Sequence, residues 1–127
     1  CNTFPDGIQH TDERWNSKDL KYKLVDHAEA RVLLTAHKNE VFKKHRPSDL
    51  WLVCPWAACT SCAKHIIGFG VKTVITHKQG MGVNHGHWVE EVKVSKMMFE
   101  ECGVIYYEYE GFLDSCKIRR NGELVSF

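Results

Sequence analysis

The sequence predicts an α/β domain with a partly parallel sheet. Three observations carry that prediction. Short apolar or β-branched runs alternate with longer segments of helical periodicity. Glycine or proline stands where the periodic segments stop. A length of 127 residues, 43% hydrophobic and 26% charged, suits one domain, residues 1–127, built on a single core.

The opening CNTFPDGIQHTDERWNSKD is rich in polar residues and turn formers and reads as a long loop. Ser17 or Asp19 offers a helix cap. From Leu20 to His45, apolar residues recur at Leu20, Leu24, Ala28, Val32, Leu33, Ala36 and Val41, which is helical spacing with a break near Asp26. Pro47 ends that segment. Leu50 to Cys54 reads as a short buried strand, and Cys59 to Phe69 as a helix stopped by Gly68 and Gly70. Val71 to Thr76 is β-branched and strand-like. Lys78 to Gly86 is a glycine-rich loop. Trp88 to Cys102 is a helix with Val89, Val92, Met97 and Phe99 on or near one face, closed by Gly103. Val104 to Tyr109 is a further strand, and Lys117 to Phe127 suits a hairpin around Asn121-Gly122. No internal repeat, low-complexity tract or linker interrupts this order.

Charge and cysteine usage narrow the function. A formal net charge of +1 argues against affinity built on neutralising many phosphates along a nucleic acid polymer. It suits a small anionic ligand held by local charges. The longest apolar run falls far below the roughly 18 residues of a membrane span, and no secretory h-region is visible, so no membrane partner is expected. The six cysteines sit in apolar, patterned segments such as Trp51-Leu52-Val53-Cys54, which favours reduced thiols and a cytoplasmic, intracellular protein over a disulfide framework. Eight histidines keep metal chemistry open.

The stretch CPWAACTSCAK places Cys59 and Cys62 at i and i+3 where a strand gives way to a helix. Both side chains then share one helix face, and the positive end of the helix dipole favours thiolates there. A redox pair or a zinc site would fit. A zinc site needs further ligands. In HAEARVLL, His27 and Glu29 lie two residues apart and point in different directions, so they do not serve as two ligands of one ion. His27, Cys59 and Cys62 can converge from two neighbouring helix N-termini. Three protein ligands and one open position form the catalytic rather than the structural zinc pattern.

H-A-E followed by C-x-x-C resembles the zinc-dependent cytidine and deoxycytidylate (dCMP) deaminases. NTFPDG, TDERW and YKLVDHAE are similar to the segment that leads into the active site of the dCMP deaminases, and CTSCAKHIIGFGVKTVI to their second zinc-binding helix and following strand. The similarity covers residues 2–78, and Trp88 to Tyr109 fits the end of the fold. The resemblance implies a three-layer α/β/α fold of the cytidine deaminase-like superfamily with a central mixed sheet. Its N-terminal helix and strand are then expected to be missing from this sequence.

The resemblance also implies roles. One zinc per chain is held by His27, Cys59 and Cys62, and lowers the pKa of a water. Glu29 is the catalytic carboxylate that takes the proton from that water, delivers it to N3 of cytosine and helps the amine leave. Backbone groups around Ala28 and from Trp56 through Ala57 to Ala58 hold the base edge, and Asn2 contacts the sugar. The substrate is dCMP, giving dUMP, with dCTP as a second substrate. dCTP and dTTP are expected regulators, and the assembly a homohexamer. Two further readings stay open: a deaminase of a free nucleoside or base or of a base in RNA or DNA, and a non-catalytic zinc-stabilised binding domain.

The chain departs from the family at three places. Ala58 stands where proline usually precedes the first zinc cysteine, and Pro55 comes three residues earlier. Ala30-Arg31-Val32 replaces the usual asparagine and alanine after H-A-E. Asp6 replaces residues more often neutral or basic in the regulatory segment.

Other residues invite a function and also have a plainer reading. Cys54 suits a buried small hydrophobe better than a fourth ligand. Cys1, Cys102 and Cys116 suggest no chemistry. Trp56 could line the pocket or pack against another subunit. His85 and His87 could hold a second metal or open the following helix. His77 and Lys78 end a strand near the expected pocket. Met97 and Met98 read as packing residues.

Overall fold

The computed structural model describes residues 2–78, 86–111, 113, 117–120 and 123–126. Among the described residues, α-helices and strands follow one another in order, with a 3-10 turn at Pro47–Asp49 before the first strand. They are α1 (Asp12–Asn16), α2 (Lys18–Leu24), α3 (Ala28–Lys38), α4 (Val41–Lys44), β1 (Trp51–Val53), α5 (Thr60–Phe69), β2 (Thr73–His77), α6 (His87–Glu101), β3 (Ile105–Tyr109), β4 (Lys117–Arg120) and β5 (Glu123–Ser126). The fold is mixed α/β.

β1, β2 and β3 form a three-stranded sheet in that order, and both pairings are parallel. Trp51, Thr73 and Ile105 stand in register, as do Val53, Ile75 and Tyr107. The Cys54 N–H reaches the Ile75 carbonyl at 3.0 Å and continues the ladder to the end of the expected strand. Parallel neighbours need a crossover, and α5 and α6 supply the two crossovers. The central sheet expected to be mixed is parallel in all three of these strands. The antiparallel pairing is in β4 and β5, which form the expected hairpin, while the Asn121-Gly122 turn lies outside the described residues.

Side-chain periodicity explains the layers. Cys62, Ala63 and Ile66 on α5 and Phe99 on α6 bury one stripe against Leu52, Val74 and Tyr106 of the three strands, and Leu33 of α3 joins them. The opposite strand face carries Trp51, Val53, Ile105 and Tyr107, exposed at 70, 69, 65 and 55%. The helices of α3, α5 and α6 thus cover one face only, and the second helical layer of a three-layer arrangement is absent among the described residues. Parallel sheets normally bury both faces.

The helix expected from Leu20 to His45 is three helices. The chain is extended at Val25 and His27, where Asp26 pairs with Thr3 in an antiparallel bridge. It breaks again at Glu40, which takes a left-handed backbone (φ 58°). The bridge draws the N-terminal segment onto α3, a long-range pairing that helical periodicity does not register. The segment read as a loop contains α1, capped by the Thr11 side chain on the Arg14 N–H. Ser17, one of the two expected caps, accepts from Leu20 N–H. Gly68 lies inside α5, and Gly70 ends it with φ 83°. On α6 the buried positions are Val92, Ser95 and Phe99, whereas Val89 and Met97 are about half exposed.

Candidate metal centre

Each ligand candidate sits at or just inside a helix start. His27 is the N-cap residue of α3 and Cys59 the N-cap residue of α5, with Cys62 in the first turn of α5. N-cap positions favour Ser, Thr, Asp or Asn because their side chains bond the exposed N–H groups of the first turn. Neither His27 nor Cys59 does so. Both side chains turn to a common point instead. His27 Nδ1 lies 3.4 Å from Cys59 Sγ and 3.4 Å from Cys62 Sγ.

Those separations fit a tetrahedral metal. Zinc–sulfur bonds of about 2.3 Å and zinc–nitrogen bonds of about 2.0 Å at a tetrahedral angle put N and S roughly 3.5 Å apart. The three donor atoms lie within 4.8 Å of one another, with both cysteines buried and His27 half-buried. One imidazole and two sulfurs are the donor types that zinc takes. His27, Cys59 and Cys62 can therefore hold a metal ion, and the set leaves a fourth position free of described protein ligands.

The electrostatics follow from crowding. Cys59 is held well below the ordinary thiol range, because the Cys62 thiol and the His27 ring both donate to its sulfur. Cys62 is pushed up for the same reason, since Cys59 takes the negative charge of the pair. His27 is raised, chiefly by its bond to Cys59. Burial raises Glu29, against the pull of the His27 ring. Glu29 stays outside the ligand group although it is close enough to interact with His27, Cys59 and Cys62. The two-residue offset on α3 has the effect expected of it: one side chain joins the cluster and the other stands beside it.

The remaining candidates fall in two places. Asn2 and Ala28 meet directly, with Asn2 Oδ1 accepting the Ala28 N–H at 2.9 Å. The Ala28 N–H is thereby engaged. Trp56, Ala57 and Ala58 form the link from β1 to Cys59 at the C-terminal end of the sheet, where parallel folds place their ligands. Trp56 is half-buried, and Ala58 is fully buried in the core. Ala58 thus packs into the core directly before Cys59.

Cys54, just past β1, is a half-buried thiol, pushed up to about 12 by burial, and it is not part of the ligand group. His77 is buried and donates from Nε2 to the Gly111 carbonyl at 2.7 Å, while Lys78 pairs with Glu110 at 2.8 Å. Both side chains tie the end of β2 to the residues after β3. His85 lies outside the described residues, and so does the side chain of His87.

Three further residues shape the site. Arg31 donates to the Phe4 carbonyl at 3.1 Å and to Asp6 Oδ1 at 3.0 Å, and lies 3.8 Å from Asp26. Trp88 on α6 sets its ring 6.4 Å from that of His27. Glu91, one turn on, accepts from the N–H and hydroxyl of Thr60. Arg31 stood out in the sequence as a departure from the deaminase resemblance. Nothing in the local sequence marks Glu91. No protein-family model matches the chain, and no curated protein matches it.

Proposed function

We propose that the chain is a zinc-dependent deaminase of free deoxycytidine nucleotides, converting dCMP to dUMP and taking dCTP as a second substrate. A cytidine deaminase-like fold belongs to this reading. The observation that supports it best is the pairing of a three-ligand cluster with a half-buried carboxylate that is not a ligand. A structural zinc site has no use for such a carboxylate, whereas hydrolysis does.

Zinc held by His27, Cys59 and Cys62 would supply a nucleophilic water near neutral pH. Glu29 takes a proton from the attacking water on its carboxylate and passes it to N3 of the cytosine ring. It then helps protonate the C4 amine, which leaves as ammonia, and the uracil ring remains. Asn2 spends its oxygen on Ala28, so its Nδ2 is the atom left for the sugar. The Trp56–Ala58 link borders the base beside Cys59. Regulation by dCTP or dTTP and assembly into a homohexamer belong to the same reading, and the open apolar sheet face is a surface that assembly could cover.

The test is uracil-product formation by the zinc-loaded chain from dCMP, dCTP, deoxycytidine and a cytosine-containing single strand. Turnover confined to the two nucleotides is the expected result. Turnover of the strand or the nucleoside alone would overturn the substrate assignment and keep the zinc chemistry. No turnover of any of the four would overturn the deaminase reading.

A further inference from the structure

Two helices that carry the metal cluster begin at residues whose side chains have left the capping role. The exposed donors of those first turns still need partners. Asn2 supplies one at α3, through the Ala28 N–H. Glu91 supplies one at α5. Its Oε2 accepts the Thr60 N–H at 2.9 Å and the Thr60 hydroxyl at 2.7 Å. Thr60 is the first residue of α5 and follows Cys59 directly.

We propose that Glu91 is a positioning residue of the metal centre: it grips the first residue of α5 from α6, through the Thr60 N–H and hydroxyl, and so holds the helix start that presents Cys59 and Cys62 to His27. Ordinary capping would draw the N-cap side chain back onto its own first turn. Here the bond comes from another helix, and the Cys59 side chain makes no cap bond. The Glu91 backbone takes a further bond within α6. The Ser95 hydroxyl, buried at 1% exposure, donates to the Glu91 carbonyl at 2.8 Å. Trp88, three residues before Glu91 and so on the same side of α6, lies against the His27 ring. One turn of α6 thus reaches both halves of the cluster, the histidine through the Trp88 ring and the cysteine-bearing helix through the bond of Glu91 to Thr60.

The inference rests on the reading of His27, Cys59 and Cys62 as a metal site and is independent of the deaminase reaction. The experiment measures zinc affinity by competition with a chromophoric chelator, together with the visible absorption of the cobalt(II)-loaded protein. Outer partners of metal ligands typically contribute about 10–100-fold to metal affinity. Glu91→Ala is expected to weaken zinc by that factor and to alter the cobalt spectrum. Val92→Ala lowers stability through a core cavity on the same helix and leaves both caps in place, so it is expected to keep the parent affinity and spectrum.

Where Glu91→Ala does not fold, Glu91→Asp keeps the charge and withdraws the oxygen by one methylene, with the same loss expected. A folded Glu91→Ala or Glu91→Asp protein with the parent's affinity and cobalt spectrum would overturn the inference. A parent chain that binds neither ion would overturn the metal reading itself, and the inference with it.

Discussion

The carboxamide oxygen of Asn2 accepts the backbone N–H of Ala28 at 2.9 Å, across 26 positions of chain. The first residue of α3 is therefore held by the N-terminal segment, and so is the helix start that presents His27 and Glu29. Loss of a capping side chain costs about 1 kcal/mol. Asn2→Ala is expected to lower stability by that amount in urea unfolding and to raise KM for dCMP. Asn2→Asp keeps the acceptor and removes the Nδ2 donors. It should restore the stability and leave KM high, which separates the capping role from the sugar contact.

Asp6 lies between Arg31 and Lys38, with contacts of 3.0 and 3.1 Å. The Arg31 guanidinium, with Lys38, holds its carboxyl below its ordinary 3.8. A lowered carboxyl contributes stability that is present above the unfolded pKa and is lost as pH falls through the folded value. Asp6→Asn should therefore melt below the parent at pH 7, and the gap should close as the pH drops below 3.8. Because Asp6 is exposed, 1 M salt should shrink the gap at pH 7 as well. A gap that is constant across pH would refute the charge origin of this contact.

Arg31 bonds the Phe4 carbonyl as well as Asp6, and Phe4 is buried under the stacked ring of Trp15 at a centroid distance of 4.3 Å. Hydrogen bonds from charged groups contribute about 1.5–3 kcal/mol. Arg31→Ala is expected to cost an amount in that range and to make the N-terminal segment the first site of limited proteolysis. Cleavage at an unchanged rate would show that the segment is held by its aromatic packing alone.

Cys54 and Cys59 are five residues apart but occupy different chemical settings. Cys54 is a half-buried thiol outside the ligand group, and Cys59 is within 3.4 Å of His27 Nδ1. Metal analysis after dialysis should find zinc at about one per chain in Cys54→Ala and a large loss in Cys59→Ala, since a site with two remaining ligands no longer closes around the ion. Full zinc occupancy in Cys59→Ala would refute its role as ligand.

Much of the site was legible in the sequence because its residues fall in short motifs. H-A-E and C-x-x-C each bring their chemistry within one turn of chain, and the strand–helix alternation between Leu50 and Tyr109 fixes where those turns lie. The helix break near Asp26 was legible but its cause was not, and the break at Glu40 was missed. The first depends on the pairing of Thr3 with Asp26, and the second on a single left-handed residue. The capping of α5 by Glu91 spans 31 positions and joins two helices, so no local pattern announces it. The buried stripe of α6 includes Ser95, a polar residue that a search for apolar spacing passes over.

Glu29 carries the central claim, since it is the half-buried carboxylate beside the ligand cluster without being a ligand. The most direct measurement compares the parent with Glu29→Ala for zinc content and for dUMP formation from dCMP. The account predicts about one zinc per chain in both proteins and a loss of turnover by several orders of magnitude in the variant, as for other essential acid–base groups. A variant that keeps its zinc and also its turnover would contradict it.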